Sequence, residues 1–375
     1  MSVRVAQLVT ELDPGGAERV VYDLATGLDR ARFDPLVISL APATGEVARW
    51  LAEARVPVAS VGMTGKLDYG ARRRLARILV REKVALLHAH LTHAIFLGRL
   101  AAADVRVPAV VSTVHVAERR WRPWHYLADR LTARLCDVEV CVSEAVRRHT
   151  ARRARVPEGK LRVIYDGVDV ARFDAAVDRR AARRSLGCGS DDKVIVSLGR
   201  LRRQKGHDLA LRAMAEVARR EPAARLVIVG DGPERDRLAR LHARLGMGER
   251  ALFAGQRDDV PAVLAAADVV VAASRYEGFG LAVAEAMAAR RPVVATRVDS
   301  LPEIVAAGVS GLLVPPEDVS ALSEAVLRVL ADPGLARALG ESGRARIAGR
   351  FTLAAMLRAH EALYDGLLRR KGAGT

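Results

Sequence analysis

Ser274-Arg275-Tyr276-Glu277-Gly278-Phe279-Gly280-Leu281-Ala282-Val283-Ala284-Glu285 sets two carboxylates, Glu277 and Glu285, on either side of a Gly-Phe-Gly turn, with seven residues between them. The apolar run Val269 to Ala273 just before it reads as a buried parallel strand, and the turn opens a helix. A helix start offers unpaired backbone N–H groups and the positive end of its dipole to an anion, and glycines at 278 and 280 let a diphosphate approach with no Cβ in the way. On the second turn of that helix, Glu285 can accept two hydrogen bonds from a vicinal diol such as ribose. Glu277 can hold sugar hydroxyls. An isolated pair of glutamates is ordinarily solvated. Here Leu281, Val283, Ala284, Ala286, Met287 and Ala288 make the helix apolar nearly all round, so Glu285 is expected to be nearly buried and to need partners. The stretch has the outline of a nucleotide-sugar pocket.

A second element lies upstream. Lys193 to Leu198 reads as a strand, Gly199-Arg200-Leu201 as the turn leaving it, and Lys205-Gly206 as the entry to a helix from His207 to Arg220. Arg200 and Lys205 therefore sit on a strand-to-helix loop at the carboxyl end of a parallel sheet, where open α/β folds bind ligands. Two cations there could neutralise a leaving diphosphate without a metal. With 60 Lys and Arg in the chain, most are simply solvated, so the inference rests on their place in the loop.

The first half repeats the pattern. Val3 to Thr10 reads as a strand, Asp13-Pro14-Gly15-Gly16 as a turn, and Ala17 to Leu28 as an amphipathic helix. A tight turn with positive φ would account for one of the two glycines. His115 follows the strand Ala109 to Val114, at a sheet edge where an imidazole can hydrogen-bond a sugar hydroxyl, although a lone histidine in such a place is more often structural. His88 and His90, two apart on a strand, are expected to face opposite sides and to be structural, with no local metal pair.

These motifs carry a resemblance. Gly199-Arg200-Leu201 with Lys205-Gly206, Gly230-Asp231-Gly232-Pro233, the stretch from Ser274 to Glu285, and Pro292-Val293-Val294-Ala295-Thr296 come in the order and spacing of retaining glycosyltransferases of family 4, which have the GT-B fold. Gly15-Gly16-Ala17-Glu18, His88-Ala89-His90, Thr113-Val114-His115, Val142-Ser143 and Gly167-Val168-Asp169 extend the similarity over nearly the whole chain. The resemblance implies an α/β GT-B fold, two Rossmann-like doubly wound domains facing across a cleft. It implies that Arg200 and Lys205 bind the donor diphosphate and stabilise its charge as it leaves. It also implies that Glu277 holds donor-sugar hydroxyls together with the backbone N–H groups of Gly278, Phe279, Gly280 and Leu281, and that Glu285 holds the ribose. His115 would lie beside the donor sugar, and Gly15, Gly16 and Gly199 would admit donor and acceptor closely. Similar enzymes keep the anomeric configuration by a front-face substitution in which the leaving phosphate helps deprotonate the acceptor. The implied catalytic residues are thus Arg200, Lys205, Glu277 and His115, with no metal and no cofactor beyond the nucleoside-diphosphate sugar substrate.

The chain departs from the family pattern in two places. Asp166 stands where an Asn usually precedes Gly-Val-Asp, and Asp299-Ser300 stand where a Gly pair usually follows Val-Ala-Thr. An Asp-Gly turn is sterically as good as Asn-Gly. Asp299 would add negative charge near a phosphate site if its loop faces the pocket.

Length, 375 residues with half of them hydrophobic, suits two domains with their own cores. The expected division is an acceptor-binding domain over 1–172, a linker over 173–190, a donor-binding domain over 191–351, and a closing helix over 352–370 that returns toward the first domain. Cys136, Cys141 and Cys188 have no metal or redox spacing, which points to a reducing compartment. The first residues lack the features of a signal peptide and no run is long enough to span a bilayer, so a cytoplasmic location is expected.

The net charge is +16, concentrated in the first half at Arg72-Arg73-Arg74, Arg119-Arg120-Trp121-Arg122-Pro123-Trp124 and Arg147-Arg148 to Arg155. Two interpretations stand side by side: solvated arginines from compositional bias, or a surface that seats on the anionic inner face of the cell membrane, where lipid-linked glycan acceptors are found. No nucleic-acid motif accompanies the charge. The expected activity is transfer of a sugar from a nucleoside-diphosphate donor, such as a UDP-sugar, to a glycan or lipid-linked acceptor. A nucleotide-sugar epimerase on a similar scaffold and a non-catalytic nucleotide-sugar-binding protein are the alternatives.

Overall fold

The computed structural model describes residues 2–65, 68–117 and 123–373. The chain divides into two compact units, one of Met1–Asp166 with Leu353–Thr375, the other of Gly167–Thr352. Each is built on a parallel sheet between helices.

In the first unit the strands are β1 (Val3–Val9), β2 (Phe33–Ser39), β3 (Val58–Ser60), β4 (Leu86–His90), β5 (Ala109–Val114), β6 (Val138–Cys141) and β7 (Leu161–Val163). They lie in the order β3-β2-β1-β4-β5-β6-β7, all parallel. Side chains alternate along a strand, and the two faces of this sheet carry separate cores. Leu8, Ile38 and Leu87 join Leu75 and Leu79 on one face, while Val9 and Val37 join Val21 and Leu51 on the other. A sheet covered on both faces needs strands apolar on both sides, which is why these segments read as continuous apolar runs.

The second unit has β8 (Lys193–Leu198), β9 (Ala224–Val229), β10 (Ala251–Gly255), β11 (Val269–Ala272), β12 (Val293–Thr296) and β13 (Leu312–Val314), in the parallel order β10-β9-β8-β11-β12-β13. Ile195, Leu226, Ile228 and Val271 pack with Leu211 and Met214 of the helix His207–Arg220 and with Leu322 and Val326 of the helix Val319–Ala331.

Residues 173–190, expected as a linker, belong to this unit and hold the helix Arg179–Ser185. The Arg-rich composition reads as solvated, yet Arg183 is buried. Its guanidinium donates to the carbonyls of Ala266, Ser190 and Asp192 and to Asp268 Oδ2 at 2.6 Å. The closing helix, Leu353–Arg370, is part of the first unit, where Tyr364 is fully buried against Phe33, with ring centroids 5.9 Å apart. Among the described residues, no helix is long and apolar enough to cross a membrane. The basic run Arg119-Arg120-Trp121-Arg122 lies outside the described residues.

Candidate functional site

An open parallel sheet forms a ligand crevice beyond the carboxyl ends of its strands, where the strand order reverses. In the second unit that point lies between β8 and β11, which are neighbours in the sheet although the chain leads from one to β9 and from the other to β12. The two loops leaving them carry the predicted donor residues. Lys205 Nζ donates to Glu277 Oε1 at 2.7 Å, and Ser274 Oγ donates to the same oxygen at 2.7 Å. The Glu277 side chain is 6% exposed, so its charge is met by a cation and a hydroxyl, as a buried carboxylate requires. Its Oε2 has no protein partner among the described residues. Arg200, on the β8 loop, is half-buried, and its guanidinium makes no ion pair among the described residues.

The backbone explains how the loops come so close. Gly206 has φ 65°, and a Cβ there would lie 1.9 Å from the carbonyl oxygen of Ala273, so only glycine lets the β8 loop rest against the end of β11. Gly280, at φ 101°, turns the chain into the helix Leu281–Ala288, whose start no side chain caps. Its first N–H groups are those an anion could accept from.

Supports that the sequence did not disclose surround this pair. Asp299 Oδ2 accepts from the Glu277 backbone N–H at 3.1 Å, and Ser300 Oγ donates to the Phe279 carbonyl at 2.8 Å. The two residues that replace the usual glycine pair therefore hold the Gly-Phe-Gly turn from behind, and Asp299 adopts φ 39° to do so. Arg275 makes a bidentate pair with Asp208 at 2.8 and 3.0 Å, tying the β11 loop to the helix that Lys205 precedes. Burial works against the Asp208 charge, but the Arg275 guanidinium holds its carboxyl below the usual range. His207 accepts from Ser197 Oγ at 2.9 Å and donates to the Gly199 carbonyl at 3.2 Å. Burial, with the nearby Lys205 charge, pushes His207 down to about 4, so it braces the β8 loop as a neutral ring. Glu285 departs from expectation: its side chain is 22% exposed, with Arg172 at 4.0 Å. Val283, Ala284, Ala286, Met287 and Ala288 take the buried positions and leave its carboxylate at an edge that reaches solvent.

In the first unit the order reverses between β1 and β4. Gly15 and Gly16 follow β1, with Gly15 as the extended N-cap (φ −167°) of the helix Gly16–Gly27. Neither adopts positive φ, so tight-turn geometry does not account for them. Leu91, just past β4, does take a strained φ of 67°. His115 follows β5, and its Nε2 lies 3.0 Å from His90 Nδ1. The expectation that His88 and His90 face opposite ways fails. Residues two apart on a strand share a face, and the two rings stand 4.1 Å apart. The structure thus gathers Gly199, Arg200, Lys205, Glu277 to Leu281 and Glu285 in one unit, and Gly15, Gly16 and His115 in the other.

Comparison with known proteins agrees with this geometry. The profile of Glycosyltransferase Family 4 matches residues 14–172, and that of Glycosyl transferases group 1 matches residues 178–346. The alpha-D-kanosaminyltransferase of Streptomyces kanamyceticus is 30% identical over 309 residues, 78% of this chain and 79% of the relative. A GDP-mannose-dependent alpha-(1-6)-phosphatidylinositol monomannoside mannosyltransferase of Mycolicibacterium smegmatis is 37% identical over 246 residues, 63% of this chain and 64% of the relative. Among solved structures, Anabaena HepE in complex with UDP and glucose superposes with a TM-score of 0.88 at 25% identity, over 97% of this chain and all of that one. Such neighbours are GT-B glycosyltransferases, and the chain belongs to glycosyltransferase family 4.

Proposed function

We propose that the chain is a retaining hexosyltransferase that moves a sugar from a nucleoside-diphosphate donor to a glycan or lipid-linked glycan acceptor, without a catalytic metal. The observation that carries this reading is the Lys205–Glu277 pair, which joins the two loops at the β8/β11 switch point, with Arg200 on the Lys205 loop making no ion pair among the described residues. In this reading Lys205 and Arg200 hold the diphosphate, the N–H groups from Gly278 to Leu281 add to that cradle, and Glu277 and Glu285 hold the sugar and ribose hydroxyls. The bond between the anomeric carbon and the diphosphate oxygen breaks, and the acceptor oxygen bonds to that carbon on the same face. The acceptor proton passes to the leaving phosphate. The two cations supply the charge that a metal would otherwise bring, and the sequence contains no Asp-x-Asp triplet.

Of the proteins named above, one is GDP-mannose-dependent and one was solved with UDP and glucose, which supports a nucleotide-sugar donor. A phosphatidylinositol-linked acceptor in one of them fits a lipid-linked acceptor here. A peripheral membrane surface belongs to the same proposal. The helix Pro123–Thr132 exposes Trp124, Leu127 and Leu131, with Arg130 exposed beside them.

The first experiment is thermal stabilisation of the purified protein by a panel of UDP-, GDP-, ADP- and dTDP-sugars, followed by an acceptor screen with whichever donor raises Tm. Lys205→Ala and Glu277→Ala should each lower turnover by about a hundredfold or more with the fold intact. Retained turnover would overturn the site assignment. Isomerisation of the donor with no acceptor present would favour an epimerase, and donor binding without transfer would favour a scaffold.

A further inference from the structure

Behind His115, the first unit contains a chain of buried polar side chains that the proposed reaction does not use directly. Gln7 of β1 is the register partner of His88 on β4, and His90 is the register partner of Thr113 on β5. Gln7, His88, His90 and Thr113 are 0–2% exposed, and Tyr364 of the closing helix is fully buried among them. The contacts form an unbroken line. His115 Nε2 meets His90 Nδ1 at 3.0 Å, His90 Nε2 meets Gln7 Oε1 at 2.9 Å, and Gln7 Nε2 donates to Tyr364 Oη at 3.2 Å. Tyr364 Oη meets His88 Nδ1 at 2.5 Å, and His88 Nε2 meets Thr113 Oγ1 at 2.6 Å.

The protons along this line follow from one group. A carboxamide oxygen only accepts, so His90 Nε2 must carry a hydrogen. A neutral imidazole has a single N–H, which leaves His90 Nδ1 as a lone pair that must accept from His115 Nε2–H. His115 Nδ1 is then bare. It has no protein partner among the described residues, and His115 is only half-buried. At the other end the Gln7 amide gives its proton to the phenol oxygen, the phenol gives its own to His88 Nδ1, and His88 Nε2–H points to Thr113. The rings stay neutral: burial and neighbouring imidazoles hold His88 and His90 well below the ordinary range, and burial, with His360 nearby, pushes His115 down to about 3. His360 adds no proton to the line, since its Nδ1 donates to the Met356 carbonyl and its Nε2 is unpartnered.

We propose that this relay fixes His115 as the Nε2–H tautomer, so that its Nδ1 presents a lone pair to a sugar hydroxyl at the carboxyl edge of the first unit's sheet, with Gln7, His90 and Tyr364 as positioning residues. The inference rests on the reading that the chain transfers a sugar and that His115 meets one of its substrates' hydroxyls. Reversing the relay would require the Gln7 amide to turn over and all three imidazoles in the line to change tautomer together, so the orientation of one buried carboxamide decides what the site offers. A hydroxyl that must donate there separates a hydroxylated sugar from its deoxy analogue, whose absent hydroxyl leaves a lone pair unmatched.

The test uses full-length protein with nitrogen-15-labelled histidine, in which long-range nitrogen–proton correlations distinguish Nδ1–H from Nε2–H tautomers, and His115 is assigned by loss of its signals in His115→Gln. The wild type should show His115 as neutral Nε2–H. Gln7→Met and Tyr364→Phe should each convert it to a mixture, and with the donor found by the stabilisation panel should lower kcat by about tenfold with little change in donor KM. If Gln7→Met does not fold, Tyr364→Phe retains the ring that packs on Phe33 and loses only the hydroxyl. An Nδ1–H His115 in the wild type, or an unchanged tautomer in the variants, overturns the proposal. Because the spectra are read on the resting protein, a correct tautomer without sugar transfer would fail the functional reading alone, and transfer with the other tautomer would fail the relay alone.

Discussion

Asp299 shows what a single residue does at the donor loop. Its carboxylate accepts from the Glu277 N–H, so it helps to shape the turn, yet it also sets a negative charge beside the place proposed for a diphosphate. Asp299→Asn keeps an acceptor oxygen for that N–H and removes the charge. At a separation of several ångströms in a partly solvated pocket, the repulsion lost is about 1 kcal/mol. Donor affinity should therefore rise by roughly fivefold, read as Kd by calorimetry. Unchanged or weaker binding would show that the carboxylate serves only to hold the loop. The positions of Arg200, Lys205, Glu277 and Glu285 beyond the carboxyl ends of β8 and β11 were legible because glycines and charged residues cluster at the end of an apolar run. The Lys205–Glu277 and Asp299–Glu277 contacts were not. They join positions 72 and 22 residues apart, and no periodicity encodes which loop ends face each other.

The helix Pro123–Thr132 has two faces that local composition does not separate. On one, Asp129 is buried and accepts from the fully buried Arg99 at 2.7 Å, while Arg99 also reaches Glu139 at 2.8 Å and Ser112 at 3.0 Å. That buried cluster holds the helix against β5, β6 and the helix Thr92–Asp104. On the other, Trp124, Leu127 and Leu131 follow the three-and-four spacing of one helical stripe but point to solvent, 52 to 59% exposed. Tyr126 faces His149 of the next helix, Glu144–Arg153, whose Arg148, Arg152 and Arg153 are exposed. An apolar stripe beside arginines suits a surface with a hydrocarbon interior and anionic headgroups. The protein should float with vesicles containing anionic phospholipid and stay behind with neutral ones. Trp124→Ala with Leu131→Ser should abolish flotation without lowering Tm, and flotation unaffected by those changes would remove the idea. Elements of this kind were readable as elements: the strand Ala109–Val114 and the helix His207–Arg220 have the bounds their sequence predicts. Exposure was not readable, since the same stripe would mark a core-facing helix had Arg99 not claimed the opposite side.

Across the whole molecule, buried titratable groups of opposite sense set how stability depends on pH. Histidines 88, 90, 115, 207 and 360 are held neutral by burial, with His115 at about 3 and His207 and His360 at about 4, below the value near 6.5 of an unfolded chain. Below pH 6.5 the unfolded chain binds protons that the folded one refuses, so their contribution is complete above that pH and is lost as pH falls toward 4. Two carboxyls act the other way. Burial, with Asp23 nearby, pushes Asp166 up to about 8, and burial pushes Glu139 up to about 7 against the pull of Arg99. The folded state retains their protons where the unfolded chain has lost them, so stability declines as pH rises from about 4 through those values. Between pH 4 and 6.5 the five histidines outweigh the two carboxyls, and from 6.5 to about 8 the carboxyls dominate. The slope for each unmatched proton is about 1.4 kcal/mol per pH unit. All but His207 belong to the first unit, so its unfolding transition should carry the effect, with a Tm maximum at about pH 6.5 to 7 and the steeper fall on the acid side. Asp166→Asn supplies a neutral amide in place of a carboxyl that must stay protonated. It should raise Tm at pH 8 by several degrees, change it little at pH 5, and flatten the alkaline limb; an alkaline limb equally steep in the variant would mean that Asp166 is already ionised in the folded protein.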